Sequence, residues 1–97
     1  PRARTVYSAA PNLGLLLEID YDTGRVRRRW WVGFGLRSVT YDAERARVYL
    51  TDFLGGQLIA FDPATGREVQ RWFVGRFVRD AYLSRDRRRL YVSSNLG

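Results

Sequence analysis

The sequence has no cysteine, no histidine, no lysine and no methionine. Each absence removes chemistry. Without cysteine there are no disulfides and no thiolate metal sites, and cysteine usage says nothing about compartment. Without histidine there is no imidazole base, no Ser-His-Asp triad and no histidine-ligated metal or haem within these residues. Without lysine there is no Schiff-base amine and no Walker-type phosphate loop. Gly33, Gly35 and the Gly55-Gly56 pair read as turn glycines, since no helix follows them to cradle a phosphate. No catalytic residue, resident metal or cofactor is expected. With no methionine and no signal-peptide pattern, we expect the start of the gene product to lie outside this sequence. No apolar run approaches the roughly 20 residues needed to span a bilayer. The longest, such as Leu13 to Leu17, are strand-sized.

What the sequence does contain is arginine. It supplies all of the positive charge, and the net charge is +7. Arginine binds carboxylates and phosphates bidentately, so such a surface suits anion recognition. A GC-rich genome accounts for the same bias and also for the scarcity of isoleucine and asparagine. The clusters Arg25-Val26-Arg27-Arg28-Arg29-Trp30-Trp31 and Arg85-Asp86-Arg87-Arg88-Arg89 invite a nucleic-acid reading. The first falls on a strand that alternates between faces and the second in a turn, so a solvated surface is the expectation and nucleic acid is not. The composition, 45% hydrophobic and 14% aromatic, is that of a folded chain.

The residues recur at a spacing of 42. Val6-Tyr7 returns as Val48-Tyr49 and again as Leu90-Tyr91, Thr23-Gly24-Arg25 as Thr65-Gly66-Arg67, and Trp30 as Trp72. Val32-Gly33 returns as Val74-Gly75, and Arg37 as Arg79. A period in the low forties made of strand-type residues predicts a β-propeller of four-stranded antiparallel blades. In the middle copy the strands are expected at Leu36 to Tyr41, Arg47 to Asp52, Gln57 to Asp62 and Glu68 to Val74. Turns at residues 42–46, 53–56 and 63–66 join them. Asp20 and Asp62 are placed to accept backbone N–H bonds two residues on, as Asx-turns do. The second and third strands are apolar on both faces and are expected in a middle layer. The fourth mixes arginine with tryptophan, as an outer rim does.

In this phase residues 1–33 form a partial blade (strands two to four), 34–75 a complete blade, and 76–97 strands one and two of another. All belong to one propeller domain of about two and a third blades. Two periods occupy 84 residues and leave 13, which duplicate the second strand. In a ring of identical chains the duplicates would compete for one place. A segment of a longer ring is therefore expected over a self-assembling unit, with further blades, from the same chain or from other copies, as its partners.

The string Gly75 to Gly97 resembles one turn of the YVTN-type repeat through Arg79, Ser84, Asp86, Leu90, Tyr91, Val92, Ser93 and Asn95. Asp62, Thr65 and Gly66 match that family's Asp-x-x-Thr-Gly turn. Leu36 and Val78 stand where the family has proline before its arginine. The resemblance, shared with NHL-like propellers, covers essentially the whole chain. It implies a non-catalytic binding or interaction scaffold, with protein or small anionic partners and an extracytoplasmic setting. The alternative it implies is part of a propeller enzyme, a sugar lactonase or quinoprotein-like dehydrogenase, with its catalytic residues on other blades.

Two constellations remain. Asp20-Tyr21-Asp22-Thr23-Gly24 resembles the opening of a calcium loop, but the copy at Asp62 has Ala64 in place of the second carboxylate. A structural turn is expected. Arg37 and Arg79 each start a first strand, the innermost of its blade, and are the candidate anion-binding residues at the channel mouth. The competing expectation pairs them within the fold, Arg79 with Asp80 or Arg37 with Asp52. Light scattering of the chain is expected to show no sharp, closed oligomer. A single stable species carrying about six to eight blades would overturn the segment reading.

Overall fold

A computed structural model describes residues 4–75 and 78–94, without the side chains of Arg79 and Ser94. The described residues are all-β: nine strands in three antiparallel sheets and one short 3-10 turn. The first sheet is β1 (Thr5–Ala10), β2 (Leu15–Asp20) and β3 (Val26–Trp31), with Pro11–Leu13 turning between β1 and β2. The second is β4 (Leu36–Asp42), β5 (Arg47–Asp52), β6 (Gln57–Asp62) and β7 (Arg67–Phe73). The third is β8 (Val78–Leu83) with β9 (Leu90–Ser94). Each is a meander whose sequence neighbours are hydrogen-bonded neighbours, and none closes on itself.

The strands expected from the sequence appear within one residue at each end. Their positions also keep the 42-residue spacing: β5 lies 42 residues beyond β1, and β6 the same distance beyond β2. The irregularities keep it too. β2 and β3 shift register between Glu18 and Ile19, and β6 and β7 shift between Ala60 and Phe61. The turns repeat their bonds: Gly24 N–H donates to the Asp20 carbonyl at 2.8 Å, and Gly66 N–H to the Asp62 carbonyl at 2.9 Å. The Asx-turn expectation is met, since Asp20 Oδ1 accepts Asp22 N–H at 2.9 Å and Asp62 Oδ1 accepts Ala64 N–H at 2.9 Å. In the calcium-like string, Asp22 instead pairs with Arg4.

Packing between sheets makes the core. Alternation along the first sheet turns Tyr7, Ala9, Leu16 and Trp30 toward the second sheet, which answers with Val39, Val48, Leu50, Ile59 and Phe61. Leu16, Val48 and Leu50 have no exposed surface. Each such side chain contributes about 1.5–3 kcal/mol by leaving water. Trp30 meets Phe61 edge-on with centroids 5.1 Å apart, and Tyr7 lies against Tyr41 at 4.9 Å. The middle-layer expectation holds for the second sheet, where Leu58 to Phe61 of β6 are all buried. In β2 only Leu16 and Glu18 are buried, and Leu15, Leu17 and Ile19 are half-buried. The rim expectation holds for β7, which is exposed along its whole length. β4, an edge strand of its sheet, packs against both β1 and β8. Thr40 Oγ1 ties it to β8 by donating to the Ala81 carbonyl at 2.7 Å.

The 42-residue spacing also holds at Gly14 and Gly56, a pair the sequence reading passed over. Both adopt left-handed backbone, with φ of 70° and 66°. Their carbonyls each accept the N–H groups that follow the last strand: Val32 and Gly33 at Gly14, Val74 and Gly75 at Gly56. A Cβ on Gly56 would lie 2.7 Å from the Gly75 carbonyl oxygen, whereas one on Gly24 would meet nothing within 4 Å. Gly56→Ala is expected to lower stability by about 2 kcal/mol or more, against about 1 kcal/mol for Gly24→Ala, which carries backbone strain alone. Urea denaturation of the two variants checks the order; equal losses would show that the close approach does not matter.

Candidate functional site

Two places bring polar side chains together. The first lies at the strand ends where the turns at residues 11–14 and 53–56 and the link at residues 32–35 gather. The Gly35 carbonyl accepts Phe53 N–H at 2.8 Å. A Cβ on Gly35 would collide with Asp52 Oδ1 at 2.8 Å and Leu54 Cγ at 2.9 Å, so glycine there lets the link sit against the turn. The result is an open groove of about 390 Å3, lined by Pro11, Asn12, Gly35, Leu36, Arg37, Phe53 and Leu54.

Arg37 sits on this groove with its side chain exposed. The expected pairing with Asp52 does not form. Asp52 Oδ1 accepts Gly55 N–H at 3.0 Å, and Arg37 makes no hydrogen bond or ion pair among the described residues. The reason is local: the carboxylate is held inward by its own turn, while the arginine lies on the solvent side of β4. Arg79 occupies the equivalent position in β8, and its side chain lies outside the described residues. The Asp80 carboxylate accepts the Tyr82 hydroxyl at 3.4 Å. Some other arginines are turned to the fold. Arg27 donates to Thr5 Oγ1 at 2.7 Å, and Arg45 pairs with buried Asp42 at 2.7 Å while also reaching the Arg87 carbonyl.

The second place is a network the sequence reading missed. Register sets Tyr7 opposite Glu18, and Glu18 opposite Arg28. The Glu18 carboxylate, buried at 6% exposure, accepts the Tyr7 hydroxyl at 2.9 Å and Arg28 Nε and Nη2 at 2.9 and 2.7 Å. Arg28 also lies over the Trp30 ring, 5.0 Å from its centroid. The bidentate Arg28 bond holds the Glu18 carboxyl below its ordinary range, against burial, with the Tyr7 bond assisting. Burial, then the bond to Glu18, pushes the Tyr7 hydroxyl up, so it stays a donor throughout the physiological range. The signal that could have found this network is the meander register, which brings residues 7, 18 and 28 side by side. A second missed feature is the hydroxyl of Thr51, which accepts Ser38 N–H at 3.1 Å where β4 bulges. Forty-two residues on, Ser93 accepts Asp80 N–H at 3.3 Å.

Among the described residues no three His, Cys, Asp or Glu side chains gather as a metal site would need. Neither place assembles a nucleophile beside a base. What the described residues present is an exposed guanidinium at Arg37 beside a groove and an internal carboxylate lock at Glu18.

Because the Glu18 pKa is depressed on folding, its stabilisation is present above the unfolded value of about 4.3 and is lost as pH falls through the folded value. Glu18→Gln is expected to cost about 1–3 kcal/mol at pH 7, and the cost should shrink in acid. Urea midpoints at pH 7 and pH 3 check this; a cost independent of pH would remove the carboxylate from the account. No protein-family model matches the chain, and no curated protein matches it in sequence.

Proposed function

We propose that the chain is a run of β-propeller blades of YVTN-type or NHL-like kind, acting as a non-catalytic binding scaffold that takes an anion beside Arg37 and Arg79. Three observations support the propeller reading. Strand ends, bulges and turn bonds recur at the 42-residue spacing. The first two sheets pack face to face. The first strands β4 and β8 lie beside one another, with exposed β7 at the far edge of its sheet.

The observation that carries the binding reading is the Arg37 guanidinium on its groove, which has no partner among the described residues. A cation with no internal anion gains most from an external one, and a guanidinium offers a planar fork to a carboxylate or phosphate. The chain's +7 charge would draw such anions toward it, more strongly at low salt. The groove's other walls, Leu36, Phe53 and Leu54, give a ligand's body an apolar rest. Further blades of the same kind, and a protein or small anionic ligand, are the partners this scaffold would hold.

Titration with acetate and inorganic phosphate at low ionic strength, followed by NMR, is expected to shift the Arg37 side chain first. Arg37→Ala should weaken binding about tenfold, the effect of losing one charge-assisted bond. Equal affinities for the wild type and Arg37→Ala would reject the anion site.

A further inference from the structure

The Arg37 groove is walled from two sheets at once. The first sheet gives Pro11 and Asn12 of its turn at residues 11–14, and the second gives Leu36, Arg37 and Leu54. The groove therefore opens between the strand ends of two described sheets, and not on a sheet face. The two turns that meet there are copies of one another, Pro11-Asn12-Leu13-Gly14 and Phe53-Leu54-Gly55-Gly56. They differ in their polar side chain: Asn12 is the one the first turn brings, and Leu54 stands in its place in the second.

Each wall has its own chemistry. The Arg37 guanidinium offers a fork of N–H donors to one anion. The Asn12 side chain is exposed and makes no hydrogen bond among the described residues. Its carboxamide carries a donor and an acceptor, the complement of a single peptide unit. Leu36 is buried at the base of the groove, and Leu54 leaves apolar surface in water at its side. A negative charge stands close by. Asp52 Oδ1 lies behind Gly35, 2.8 Å from where a Cβ on that glycine would be. A second negative charge on a ligand would meet that carboxylate, so the groove suits a monoanion over a phosphate dianion.

One exposed guanidinium holds an anion weakly, so a ligand must gain the rest from Asn12 and the apolar walls. A carboxylate, an amide next to it and an apolar side chain between them occur together at the C-terminal residue of a polypeptide. The groove's volume of about 390 Å3 lies near the lower end of the roughly 300–1,000 Å3 range of ligand sites. That is room for a chain end, and too little for a folded segment. We propose that the groove binds the C-terminus of a partner protein that ends in an apolar residue. The terminal carboxylate sits on Arg37, the last peptide unit on Asn12, and the last side chain against Leu36 and Leu54. The net charge of +7 adds attraction for an acidic partner. This rests on the anion reading of Arg37 and adds to it the chemistry of the partner.

Calorimetric titration at low ionic strength tests it with the acetylated peptide Gly-Ser-Gly-Leu, as the free acid and as the C-terminal amide, beside acetate. The free acid is expected to bind about tenfold more tightly than the amide, the effect of one charge-assisted bond, and more tightly than acetate. Arg37→Ala should erase the difference between acid and amide. Asn12→Leu copies the residue 42 places on and should narrow the acid's advantage over acetate. Leu54→Ser, at an exposed position, should weaken the leucine-ended acid about fivefold and a glycine-ended acid less. If acetate responds to Arg37→Ala but the peptide acid binds no more tightly than acetate, the peptide proposal is overturned and the anion site stands. If neither ligand responds to Arg37→Ala, both fall. Equal affinities of acid and amide would overturn the proposal. So would an amidated peptide with an internal aspartate that binds as tightly as the free acid, since an acidic side chain would then be the ligand.

Discussion

Strands of five to seven residues do not persist as isolated meanders, because each leaves an apolar face in water. The contact between the first and second sheets removes that liability, and the other features depend on it. Leu16, Val48, Leu50 and Ile59 interlock between the layers, and the Trp30–Phe61 and Tyr7–Tyr41 pairs extend the contact outward. Dispersion and hydrophobic burial scale with area, so the wide second sheet is buried best where it is covered on both sides, along β5 and β6. Along β7, with no such cover, every residue is exposed.

The backbone works to make that contact possible. At Gly14 and Gly56 a left-handed turn lets the carbonyl receive two N–H groups from the residues after the fourth strand. The chain is thereby clamped at the point where it leaves one sheet for the next. A side chain at Gly56 would press into the Gly75 carbonyl, so the clamp and the glycine are one requirement. Where β4 bulges, the freed Ser38 N–H is taken by Thr51 rather than left unpaired, as burial demands. Such devices let strands stack closely without unsatisfied polar groups, and no buried side-chain polar atom among the described residues lacks a partner.

Charge is distributed by the same logic. Glu18 and Asp42 are buried carboxylates, and each is held by an arginine whose own side chain reaches water. That geometry lowers the desolvation penalty relative to a fully buried pair. Arginines with such duties are structural. Arg37 has none among the described residues, and it lies on a groove. Arg47 is held more loosely, 3.7 Å from the Asp62 carboxylate.

The sequence by itself determined the strands, the turns and their spacing. Those depend on local preferences: the β-branched and aromatic runs, the Asp-x-x-Thr-Gly turns, the glycines with positive φ. Each acts over a few residues, so each could be read without knowing what lay across the molecule. The Arg37 side chain was legible as a candidate, but not its freedom from Asp52, because that turns on how a neighbouring turn holds a carboxylate. The Tyr7–Glu18–Arg28 network was written in residues 10 and 11 apart, yet only paired strands make them neighbours. Burial, partnership and cavity shape depend on atoms distant in the chain, and those the tertiary structure alone decided.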